Sequence, residues 1–179
     1  NGAPFWRQKG QERNVKMENG LPSFEVHLWG LGNRLRGDDG VGVYIAESLI
    51  PIAPPRMRVV VCETVPENYT PWLLRDRPKE LIVVDAANMG LKAGSVRRLA
   101  LDELTEAAFE THGITLPLIL GPHLKWLAVT AIGIQPEQLS LSLDLSPAVR
   151  RAASAVISII LNGTWQKIPR LHQRKRSPK

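Results

Sequence analysis

"GLGNRLRGDDGVG" (Gly30–Gly42) follows directly on the apolar run "EVHLWGL" (Glu25–Leu31) and leads straight into "VGVYIAESLI" (Val41–Ile50), whose apolar residues fall at helical spacing. Strand, glycine-rich turn and helix in that order open an α/β fold. Such a turn often cradles phosphate, but a phosphate loop offers bare N–H groups and a cation. This one carries Asp38 and Asp39 at its tip. Leu35 also stands where a dinucleotide fingerprint needs its third glycine. The turn is therefore read as a place for a cation.

Outward from the turn the same alternation continues. "RVVVCET" (Arg58–Thr64) and "ELIVVDA" (Glu80–Ala86) are unbroken β-branched runs, as expected of strands covered on both faces. "TPWLLRDR" (70–77) reads as a short helix between them, and "GSVRRLAL" (Gly94–Leu101) as an edge strand. "DELTEAAF" (102–109) is a helical turn or connector. "HGITLPLILGPHL" (112–124) has helical spacing that Pro117 and Gly121–Pro122 interrupt. "WLAVTAIGIQ" (Trp126–Gln135) is a further internal strand. "SPAVRRAASAVISIIL" (146–161) is a helix with Ser146 as N-cap, Pro147 in its first turn and Asn162–Gly163 at its close. Strands alternating with helices predict a three-layer αβα sandwich around a mostly parallel, twisted central sheet. One domain is expected over residues 24–163, with flexible tails at 1–23 and 164–179.

The net charge of +6 suggests nucleic acid until its location is examined. Residues 162–179 carry +6 and residues 1–24 carry +2, whereas 25–161 carry −2. The basicity belongs to the ends, so no nucleic-acid partner is expected. The single cysteine, Cys62, rules out an internal disulfide and fits a reducing compartment. The longest apolar run, "AVISIIL" (155–161), is too short for a membrane span, and the first residues lack a secretory signal's apolar core. A cytoplasmic protein is the plain reading.

Ligands of a doubly wound sheet collect beyond the carboxyl ends of its strands. Asp38 and Asp39 lie just past the first strand and Asp85 closes "LIVVD". His112 stands where a loop enters an apolar helix. Two carboxylates and an imidazole converging on one crevice would make a divalent-metal site with open positions. Each residue also has a structural reading. One of the two loop aspartates is expected to cap the helix beginning near Val41, and Asp85 alone could bind loop amides. Cys62, in mid-strand, reads as a small buried hydrophobe rather than a nucleophile. His27, His123 and His172 lack a partner at ligand spacing and are expected on surfaces or in tails. The sequence has no "HExxH", no "GxSxG" and no P-loop Gly-Lys-Ser/Thr.

"GLGNRLRGDDGVG", "VPENYT", "LIVVDAANMGLKAG", "THGITLPL" and "IGIQPE" occur in an order that resembles the [NiFe]-hydrogenase maturation endopeptidases, most closely the branch serving the hydrogenase of the formate hydrogenlyase complex. The resemblance runs from about Val26 to Leu161. It implies a monomeric endopeptidase, aspartic-type or metal-dependent, that removes a C-terminal extension from a hydrogenase large-subunit precursor after nickel insertion. It places the metal-binding and catalytic positions at Asp39, Asp85 and His112, leaving Asp38 as the helix cap. The nickel would come with the substrate, and another divalent metal could sit in the resting enzyme. Other maturation factors are implied as further partners. The resemblance does not decide whether one of the carboxylates serves as the base. A non-enzymatic nickel or maturation-factor binding module on the same fold is the alternative reading, followed by a nucleotide binder and a Cys62 peptidase.

Overall fold

Continuous and alternating apolar runs become strands here, and the spacing of three to four becomes helix, as the periodicities require. The computed structural model describes residues 17–18, 21–99 and 116–171. Two short strands, β1 (Met17–Glu18) and β2 (Leu21–Pro22), pair antiparallel ahead of the main sheet. Then follow β3 (Val26–Leu31), a 3-10 turn at Gly37–Gly40 and α1 (Val41–Leu49), which gives way to a 3-10 turn containing Pro51. β4 (Met57–Glu63), α2 (Thr70–Asp76), β5 (Glu80–Ala86) and β6 (Val96–Leu99) come next. α3 (Leu116–Leu120), β7 (Ala128–Ile134) and α4 (Pro147–Leu161) complete the set. "DELTEAAF" lies outside the described residues.

The five-stranded sheet runs β4-β3-β5-β7-β6. Its first four strands are parallel, and β6 adds antiparallel at the edge. Side chains alternate across it. Leu28, Val59, Ile82, Val84 and Ile132 pack with α1 and α4, while Trp29, Val60, Leu81 and Val83 pack with α2 and α3. Both faces are thus covered, which is why β4 and β5 read as unbroken apolar runs. α1 lies against the sheet at backbone distance because position 42 is glycine. A Cβ there would sit 2.1 Å from the Val84 carbonyl oxygen. The α4 cap forms as expected, Ser146 Oγ accepting from the Val149 N–H at 3.3 Å, and Gly163 closes the helix with φ +65°.

Two expectations change. His27 is not on a surface: it is fully buried, with Nε2 3.0 Å from Asp76 Oδ2. β3 sits between β4 and β5, so even its second residue is covered, and a buried imidazole takes a carboxylate partner. Arg58 donates to the same carboxylate oxygen at 2.6 Å while its guanidinium lies 3.9 Å over the Phe24 ring. Burial holds the His27 pKa below its ordinary value despite Asp76. Burial also opposes charge on Asp76, yet bonds from His27 and Arg75 and the charge of Arg58 leave its carboxyl well below the usual range. The second change is at the C-terminus, where residues 164–171 rest on the fold instead of starting a tail. Ile168 is buried, Trp165 Nε1 donates to Glu80 Oε1 at 3.0 Å, and the Leu171 N–H reaches the Arg98 carbonyl at 2.8 Å.

Candidate active site

Beyond β3 the chain turns aside to reach β4, whereas the chain beyond β5 leads towards β6 and β7 on the other side. The carboxyl ends of β3 and β5 therefore flank a topological switch point, where α/β sheets bind ligands. Gly32, just past β3, makes the turn with φ +121°. A Cβ on it would lie 1.7 Å from the Asp39 main-chain oxygen and 3.3 Å from Asp85 Oδ1. Only glycine lets the loop fold back this closely, and the same contacts bring the Asp39 main chain and the Asp85 carboxylate up to one residue.

Both acids are buried, Asp39 at 3% exposure and Asp85 at 1%. Asp39 Oδ2 accepts from the Asn33 N–H at 3.2 Å, and Asp85 Oδ1 accepts from the Ala86 N–H at 2.7 Å. Each carboxylate is thereby oriented by backbone, Asp85 by the amide of the next residue in its own strand. Among the described residues, no group of three His, Cys, Asp or Glu side chains is placed to hold a metal. His112 lies outside the described residues, ahead of α3. The donor set that is described, two oriented and buried carboxylates at the switch point, suits a hard or borderline divalent cation.

Asp38 is not the cap of α1. The N-cap position is Gly40, with no side-chain cap bond. Asp38 instead turns, wholly buried, into the loop after β7. Its Oδ2 accepts from the Glu137 and Gln138 N–H groups at 2.8 and 3.1 Å, and its Oδ1 from the Ser146 N–H at 2.6 Å. Three amides satisfied by one carboxylate outweigh the single bond a cap offers. Sequence reasoning also missed Gln135, whose Oε1 accepts from Met89 and Leu91 N–H groups at 2.7 and 3.1 Å and so pins the loop after Asp85. Its only local signal is a polar residue closing an apolar strand.

Arg34, in the turn itself, ties α1 to the end of β4 through Glu47 and Glu63. Beside it opens a cleft of about 250 Å³ lined by Arg34, Gly40, Tyr44, Leu143 and Arg150. Cys62 is fully buried, and burial pushes its thiol well above the ordinary value, so it offers no thiolate for catalysis.

Comparison with known proteins agrees with this architecture. The profile of the hydrogenase maturation protease family matches residues 43–163, a span that includes Asp85 and begins just after Asp39. The chain is 30% identical over 130 residues to the hydrogenase 3 maturation protease of Escherichia coli K12, covering 70% of this chain and 82% of that one. It is also 30% identical to a putative hydrogenase maturation protease of Methanocaldococcus jannaschii, covering 76% of this chain and 94% of the relative. Among solved structures, the [NiFe] hydrogenase maturation protease HycI of Thermococcus kodakarensis KOD1 superposes with a TM-score of 0.70 at 28% identity, covering 78% of this chain and 92% of that one. The family profile over residues 43–163 and the 30% identity to these relatives show that the chain belongs to the hydrogenase maturation protease family.

Proposed function

We propose that this chain, a hydrogenase maturation protease, cuts the C-terminal extension from a [NiFe]-hydrogenase large-subunit precursor once nickel is in place. It grips the substrate's nickel with Asp39, Asp85 and His112. The observation that carries the reading is the pair of buried, backbone-oriented carboxylates, Asp39 and Asp85, beside Gly32. A divalent ion bound there would polarise the scissile carbonyl or activate water. The chain's own work is to position. Gly32 lets the turn close, the Asn33 and Ala86 amides aim the acids, and Asp38 and Gln135 hold the flanking loops. With the acids supplying the metal grip, no nucleophilic side chain is needed, in keeping with the inert Cys62. No described helix is long and apolar enough to cross a membrane.

The test compares cleavage of nickel-loaded and nickel-free precursor by the intact protein, read as a mobility shift. The loaded precursor is cut and the other is not. Equal cutting of both refutes the nickel checkpoint, and cutting of neither refutes the peptidase.

A further inference from the structure

Outward-facing leucines cluster beside the switch point. The segment "LSLSL" (139–143) turns its leucines outward: Leu141 and Leu143 are 87% and 79% exposed, and Leu139 is exposed as well. The serines between them take the local polar contacts. Ser142 Oγ accepts from the Asp144 N–H at 3.1 Å, and Ser140 Oγ lies 3.4 Å from Gln138 Oε1. Leu35, in the glycine turn, is exposed next to them, since the Ser142 N–H bonds the Leu35 carbonyl at 3.0 Å. Single exposed leucines need no explanation, but four on two bonded segments form an apolar patch.

The patch is also held in place. The Gly37 N–H donates to Ser142 O at 2.8 Å, and the three amides on Asp38 anchor both ends of the loop to the residue beside Asp39. Among the described residues the main-chain N–H and C=O groups of Leu141 and Leu143 have no hydrogen-bond partner. The edge thus offers a polypeptide both apolar contact and backbone bonds. Leu143 also walls the cleft that runs along the turn to Gly40, the residue next after Asp39.

We propose that Leu35, Leu139, Leu141 and Leu143 form the surface on which the precursor polypeptide lays apolar side chains flanking the bond to be cut. This rests on the peptidase reading and adds to it a specificity determinant. These leucines position the substrate and take no part in the chemistry.

The experiment measures steady-state cleavage of the nickel-loaded large-subunit precursor by the full-length protein. It compares wild type, the double variant Leu141→Ser/Leu143→Ser, and a control, Leu74→Ser, at an exposed leucine of α2. The double variant should lose about tenfold or more in kcat/KM, carried by KM, because leucines that anchor a contact dominate its affinity. Its kcat and melting temperature should hold, and the control should match wild type. Unchanged kcat/KM in an active double variant overturns the proposal. So does a fall in kcat alone. A shift from dimer to monomer in sedimentation with unchanged kcat/KM would assign the patch to a second copy, again overturning it. An inactive wild type removes the peptidase reading itself, and the proposal with it.

Discussion

Replacing Asp38 tests whether the two neighbouring aspartates have separate work. In Asp38→Ala the Ser146 N–H, in a buried residue, loses a charged acceptor at 2.6 Å. A buried bond to a charged group is worth about 1.5–3 kcal/mol. The Glu137 and Gln138 amides belong to exposed residues and regain water, so each loses only about 0.5–1.5 kcal/mol. The total is about 2.5–6 kcal/mol, a large share of the roughly 5–15 kcal/mol that holds a domain folded. Asp38→Asn keeps the shape and one acceptor oxygen and should lose about 2 kcal/mol. Urea unfolding followed by tryptophan fluorescence, with fully buried Trp29 as a reporter, measures both. In the same assay Asp39→Asn, which keeps an oxygen to accept from the Asn33 N–H, should stay within about 1 kcal/mol of wild type while abolishing cleavage. Asp38→Ala within about 0.5 kcal/mol of wild type would refute the clamp.

Two further outcomes are expected. Burial lowers the His27 pKa, so the unfolded chain protonates this residue first. Stability is then level above roughly pH 6.5 and falls as the pH drops below it. His27→Gln keeps a donor for Asp76 without titrating, so its urea midpoint should be flatter between about pH 6.5 and 5. Identical slopes for the two proteins would refute this origin, and the depressed Asp76 carboxyl adds a loss in the same direction only at lower pH. Gly32→Ala puts a methyl group 1.7 Å from the Asp39 carbonyl oxygen at φ +121° and should destabilise by about 3 kcal/mol or more, read as a fall in melting temperature. A variant that melts with wild type would show that the turn does not need glycine.

Much of the fold is legible in the chain because strand and helix write their periods locally. "ELIVVDA" is β5 residue for residue, and "SPAVRRAASAVISIIL" carries the cap and the helix that form. The placement of Asp39 and Asp85 followed from a sheet rule: acids ending parallel strands share an edge. Asp38 could not be read the same way. Its partners lie about a hundred residues along the chain, and a local rule assigns an aspartate before a helix to capping.

The sequence by itself determined which runs pair and which faces are apolar, since backbone geometry repeats every two or 3.6 residues whatever the neighbours are. Only the tertiary structure decided which polar groups meet. It buried His27 by setting β3 between two strands, and it folded residues 164–171 back onto the sheet. It also turned Asp38 away from Asp39 and pointed the leucines of 139–143 outward. The reason is physical: a buried hydrogen-bonding group takes the partner that packing brings within about 3 Å, however distant in the chain.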